Sequence, residues 1–176
     1  MKKQFLLLTI FLGAIVTSAS AQEFIKGTNV INAGIGLGGT YGSYATSSQS
    51  LGFSASFERG IWEVPGPGVV SLGGFLGYKT YDYDYFGGSD RWTYTVVGVR
   101  GAYHYNGLNI ENLDVYGGAM VSYRILSYSG TTGSYGSRPG ATGFVGGRYF
   151  FSNNFAAFAE AGYGFAYLTV GISIRI

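Results

Sequence analysis

Seven charged residues recur through the sequence at about one per alternating segment, always on the polar side of that alternation: Glu58, Lys79, Arg100, Arg124, Arg148, Glu160 and Arg175. Five are basic and two acidic, which leaves two chemistries open. Buried charges need compensation, so Glu58 and Glu160 paired with some of the five cations would make a salt-bridged plug. If water filled the space around them, the surplus of positive charge would make a narrow, anion-preferring conduit.

The other candidates are weaker. His104 is the only histidine and there is no cysteine; with no visible Ser-His-acid arrangement, no catalytic centre is expected and the chain is read as not an enzyme. Asp82, Asp84 and Asp90 have the composition of a metal loop, but D-x-D spacing without further ligands does not make a site. No metal and no cofactor is expected. Tyr81, Tyr83, Tyr85 and Phe86 interleave with Asp82 and Asp84, and these six are candidates for loop interaction with a surface partner. The favoured alternative is a β-ribbon carrying interfacial aromatics. The GxGxG of Gly34, Gly36 and Gly38 has no helix after it, so it reads as small residues in a strand and not as a phosphate cradle.

What must position the charges is a set of strands. In the last nine residues Leu168, Val170, Ile172, Ile174 and Ile176 alternate with Thr169, Gly171, Ser173 and Arg175, and such alternation gives a strand with two unlike faces. Eight segments of this kind are expected, near 28–40, 50–60, 69–81, 92–105, 113–127, 140–151, 154–164 and 168–176. The polar faces are mostly Gly, Ser and Thr with a few long charged side chains, which suits a narrow interior. A charge on the apolar faces would cost about 2 to 4 kcal/mol at a bilayer midplane, and none falls on their central stretches. The aliphatic stripes are therefore read as lipid-facing, and the fold as an all-β, eight-stranded antiparallel transmembrane up-and-down barrel.

Composition agrees. Charged residues are 11% of the chain where about 25% is usual, aromatics are 18%, and Gly is 31 of 176. Met1, Lys2 and Lys3, the run "FLLLTIFLGAIV" and the small residues Ala19 and Ala21 have the three parts of a signal peptide, with cleavage expected after Ala21. Residues 22–176 would form the barrel domain. Loss of Lys2 and Lys3 takes the basic residues from 11 to 9, equal to the 9 acidic ones, so a nucleic-acid partner is not expected.

The connections "TYGSYATSSQ", "YDYDYFGGSDR" and "SYSGTTGSYGSRPG" are long, whereas "VPGPG", "NGLNIEN" and "SNN" are short and alternate with them. That order fits long extracellular loops and short periplasmic turns in a cell outer membrane. Tyr78, Tyr103, Tyr105, Tyr123, Tyr149 and Tyr163 are expected towards the outer rim, and Phe57, Trp62, Phe151 and Phe155 towards the inner one.

The exported N-terminus, the eight segments, the Gly and Tyr richness and the ending "FAEAGYGFAYLTVGISIRI" resemble the small outer-membrane β-barrel family of the OmpA/OmpX type, especially its Bacteroidetes-like members. The resemblance covers essentially all of residues 22–176. It implies the barrel assembly machinery as a partner during biogenesis, beside the outer-membrane lipid expected at the aliphatic stripes and an extracellular partner expected at the loop residues. Its members commonly end in an aromatic residue, where this chain has Ile176. The function expected is structural or surface interaction, with a narrow porin-like conduit for small anions or hydrophobic solutes as the alternative. A soluble exported barrel holding a lipid would need the stripes to face the other way.

Overall fold

The computed structural model describes residues 24–39, 48–85, 88–129 and 136–176, with only the backbone of Tyr85. The expected signal peptide over 1–21, Phe86 and the central parts of the first and third long connections lie outside the described residues. The strands are β1 (Asn29–Leu37), β2 (Ser48–Gln49), β3 (Gly52–Val64), β4 (Gly68–Tyr85), β5 (Gly88–Tyr105), β6 (Leu113–Ser129), β7 (Arg138–Phe150), β8 (Phe155–Gly162) and β9 (Leu168–Arg175). Each wall strand pairs antiparallel with its neighbours, and the β1–β9 pairing closes the ring from Val30↔Arg175 to Leu37↔Leu168. β2 is a two-residue rung on β4 at Ser48↔Asp82, so eight strands build the wall. The protein is an all-β, closed, antiparallel up-and-down barrel.

Alternation decides what each face meets. Outward aliphatics such as Ile31, Leu76, Val99, Val121, Val145 and Ile172 are 41% to 68% exposed, whereas Glu58, Lys79 and Arg148 are 0% exposed and Arg100 3%. This inverts the usual soluble arrangement, in which such charges are almost never fully buried.

The short turns carry the residues their backbones require. Gly66 sits between Pro65 and Pro67 at φ +112°, and Asn109 and Asn112 take φ +50° and +65°, a region that glycine and, among other residues, Asn and Asp favour.

"YDYDYFGGSDR", a long connection whose favoured form is a β-ribbon, is such a ribbon: β4 and β5 stay in register up to Tyr85↔Gly88, because the period of two continues through it. Two expectations are corrected. Tyr81, expected at an interacting tip, is fully buried and meets Tyr94 edge-on at 5.6 Å. Tyr103, Tyr105 and Tyr149 are also at the opposite rim from the one expected. Pairings Gly68↔Tyr105 and Leu113↔Tyr149 put them beside the short turns, because β5 and β7 run towards that end. Exposed aromatics thus edge the aliphatic belt on both sides, with Trp62, Tyr103, Tyr105, Tyr149 and Phe155 near the short turns and Phe53, Tyr78, Tyr123 and Tyr163 near the long connections.

The interior has two zones. Towards the long connections it is an aromatic core of Tyr81, Trp92, Tyr94, Val96, Phe165 and Ala166. Phe165 comes from the β8–β9 connection, which turns at Gly164 (φ +117°) and tucks the ring inside against Phe75, with centroids 5.4 Å apart. Glycines on the neighbouring strands β3 and β4 leave the space: a Cβ at Gly77 would lie 2.7 Å from the Phe165 ring, and one at Gly52 2.9 Å. Towards the short turns the interior is polar and charged.

Candidate functional site

Five adjacent strands send one polar side chain each to a common level in the polar zone. Arg148 of β7 forms an ion pair with Glu58 of β3, and its Nε lies 3.2 Å from Asp114 Oδ2 on β6. Asp114 Oδ1 accepts from Nδ1 of His104 on β5 at 2.9 Å, and His104 Nε2 is 3.0 Å from Ser71 Oγ on β4. Ser71 Oγ is also 3.4 Å from Glu58 Oε2, which closes the ring Glu58, Arg148, Asp114, His104, Ser71. On its far side Asn32 Nδ2 donates to Glu58 and to Ser56, and Ser173 donates to Asn32.

A second node lies nearer the barrel middle. Arg100 of β5 pairs with Glu160 of β8 at 2.5 Å, Tyr116 OH donates to Glu160 at 3.0 Å, and the Arg100 guanidinium lies 4.1 Å over the Phe144 ring. A cavity of about 30 Å³ adjoins this pair, lined by Thr142, Thr169 and Phe165 among others, room for about one or two water molecules.

Four of the seven candidate charges are thus joined in two pairs. Lys79 instead donates to the Gly38 carbonyl and sits 5.4 Å from the Tyr81 ring. Arg124 lies at the upper rim and donates to Pro139 O at 3.2 Å, and Arg175 lies 4.0 Å over Phe150. In the other candidate group, Asp82 pairs with Arg91 at 2.5 Å, Tyr83 packs on the aromatic core and Asp84 is exposed.

Sequence reasoning missed the Ser71, His104 and Asp114 line. All three are within four residues of a short turn, on the polar side of consecutive strands. Parity combined with distance from the turns would have brought them together. Asp114 also raises the acidic residues inside from two to three against the same five cations.

The line contains a nucleophile, a base and an orienting carboxylate in hydrogen-bond reach, as acyl transfer requires. Other features oppose that use. Ser71 is 1% exposed and His104 0%, and backbone N–H groups along the β4–β5 ladder are committed to cross-strand bonds, so they do not form an oxyanion hole. The geometry is that of a neutralising hydrogen-bond network, in which each buried carboxylate meets a cation or a donor.

Neither a family model nor a curated relative matches the sequence. Among solved structures, the N-terminal β-barrel domain of Pseudomonas aeruginosa OprF is similar at 15% identity and TM-score 0.47, over 86% of this chain and 98% of that chain. The Yersinia pestis outer membrane protein Ail in a phospholipid bilayer nanodisc is similar at 14% identity and TM-score 0.45, over 86% and 100%. Ail in complex with the heparin analogue sucrose octasulfate is similar at 13% identity and TM-score 0.44, over 86% and 96%.

Proposed function

We propose that this chain is an integral outer-membrane β-barrel of the OmpA/OmpX type, akin to Bacteroidetes-like members, exported by a signal peptide cleaved after Ala21. Its role is structural or in surface interaction, without enzymatic activity. The observation that carries the reading is the inversion of the barrel: a continuous aliphatic belt outside, aromatics along both edges, and buried, paired charges inside. Lipid satisfies the belt, and the closed ladder leaves no strand edge for hydrocarbon to meet. The barrel assembly machinery is the partner during insertion, and an extracellular partner meets the long-connection end. Among the six proposed loop residues, Asp82 and Asp84 are the ones whose described side chains still suit such contact, since Tyr81 faces inward.

The filled interior favours a scaffold over the conduit for small anions or hydrophobic solutes. The test is planar-bilayer conductance of the refolded mature protein, with its heat-modifiable mobility checked on a gel. Silence from a folded, inserted barrel is expected. Steady anion-selective openings that change with Arg124→Ala would overturn the scaffold in favour of the conduit. A protein that remains monodisperse without detergent would overturn the membrane placement itself.

A further inference from the structure

The chain just before β1 turns back under the barrel and puts an aromatic ring into its polar end. Phe24 is fully buried, stacked on His104 with centroids 3.6 Å apart and planes 5° from parallel, and packed against Val30 and Val69. The Arg148 guanidinium is 5.7 Å from the same ring. Its strap is held by Asn106 Nδ2 donating to Phe24 O at 3.1 Å, Ile25 N to Thr28 Oγ1 at 3.1 Å, Thr28 N to Ile25 O at 3.1 Å, Gly27 N to Gly60 O at 2.8 Å and Gly60 N to Thr28 O at 2.9 Å.

Two glycines shape the strap. Gly27 holds φ +92° with open space around it, and Ile25, Lys26 and Gly27 are exposed. At Gly60 a Cβ would strike the Ile25 carbonyl, so this wall position gives the strap its seat. The register of β3 also shifts between Gly60 and Trp62, a bulge that bends the wall where the strap docks. Gly27 and Thr28 continue the β1–β3 pairing by one rung through Gly60, whereas residues 24–26 lie beyond it. Upstream of Gly27 the buried Phe24 ring and the Asn106–Phe24 bond hold the strap to the wall, so it can open by release of that ring while the ladder from Asn29 onward stays intact.

We propose that residues 24–28 are a hinged plug at the short-turn mouth, with Phe24 as the stopper over Ser71, His104 and Asp114 and Gly27 as the hinge. Seated, the plug keeps water off the charged ring. Withdrawn, it opens the ring to water and small polar solutes while the wall and the Phe165 end stay closed.

Because there is no cysteine, a single reporter is clean. Ser71→Cys is placed under the plug and Ser56→Cys above the charged ring, each in folded, heat-modifiable protein, and both are treated with a small charged methanethiosulfonate. With Phe24 in place both should label slowly. Phe24→Ala should speed labelling of the Ser71→Cys reporter at least tenfold and leave the Ser56→Cys reporter unchanged. Phe24→Trp, which keeps a stacking ring, should restore slow labelling, and Phe24→Leu, which keeps an apolar side chain without the stack, should fall between. Equal Ser71→Cys rates with and without the ring would overturn the plug. Acceleration at both reporters would overturn it too, because the whole barrel would then have loosened.

Discussion

Replacing Arg148 by Met should be among the most damaging single changes in this barrel. Arg148 is 0% exposed, forms the ion pair with Glu58, lies 3.2 Å from Asp114 and has the Tyr116 ring 4.6 Å from its guanidinium. Met keeps an unbranched side chain but leaves two carboxylates in a closed interior with their shared cation gone. Removing one partner from a buried pair costs about 3–5 kcal/mol, a large share of the roughly 5–15 kcal/mol that holds a typical domain together. Most of that cost is the stranded charge and not the lost attraction. Combining Arg148→Met with Glu58→Gln and Asp114→Asn should therefore recover the greater part of it. The assay is urea unfolding of the refolded barrel in phospholipid vesicles, followed by tryptophan fluorescence and heat-modifiable mobility. An Arg148→Met barrel within about 1 kcal/mol of the parent would refute the reasoning, as would a triple variant no better than the single one. Arg91→Ala is the control, since its pair with Asp82 is 2.5 Å long but the Arg91 side chain is 64% exposed, and no measurable change is expected.

Neighbouring glycines should behave in opposite ways. At Gly73 a Cβ would run into the Phe57 carbonyl, whereas at Gly74 it would meet nothing within 4 Å, so Gly73→Ala should lose about 1–3 kcal/mol and Gly74→Ala stay within about 0.5 in vesicle unfolding. Val99 is 59% exposed on the belt, and Val99→Arg should cost about 2–4 kcal/mol in a bilayer, with an unchanged value counting against lipid contact. Phe165 is 3% exposed, and Phe165→Ala should cost about 3–5 kcal/mol as the seat made by Gly52 and Gly77 empties, a loss readable in the same titration.

The facing of every wall strand was legible because one number, the period of two, determines it, and because Glu58, Arg100 and Arg148 would be intolerable on the belt. Direction was harder. Tyr103, Tyr105 and Tyr149 changed rims because parity says in or out but not up or down. The β4–β5 tip has the composition of a loop in Asp82, Asp84 and Gly87, and the alternation of Tyr81 and Tyr83 is what favours a ribbon there, without saying that Tyr81 would turn inward. Pairing across the lumen cannot be read from parity alone: Arg148 finds Glu58 ninety residues away. Phe24 carries no periodic signal at all, since its place depends on a socket built by four different strands.

The seam between β1 and β9 sets the order in which this molecule can come into being. It joins residues 30–37 to 168–175, nearly the full described chain apart, and the Ile176 amide adds a bond to Asn29 O at 3.1 Å. Until the last strand arrives, the first waits with one edge unsatisfied, and in the membrane proposed for this barrel each unmet amide is costly. Partly closed sheets are thus poor resting places, and zipping of that seam is the step at which a string of hairpins becomes a single cooperative object. Contacts so distant in sequence form late and slowly. A lesion at Gly34 or Gly171, where added carbon would crowd the facing strand, should therefore appear first as failed insertion and only second as lost stability.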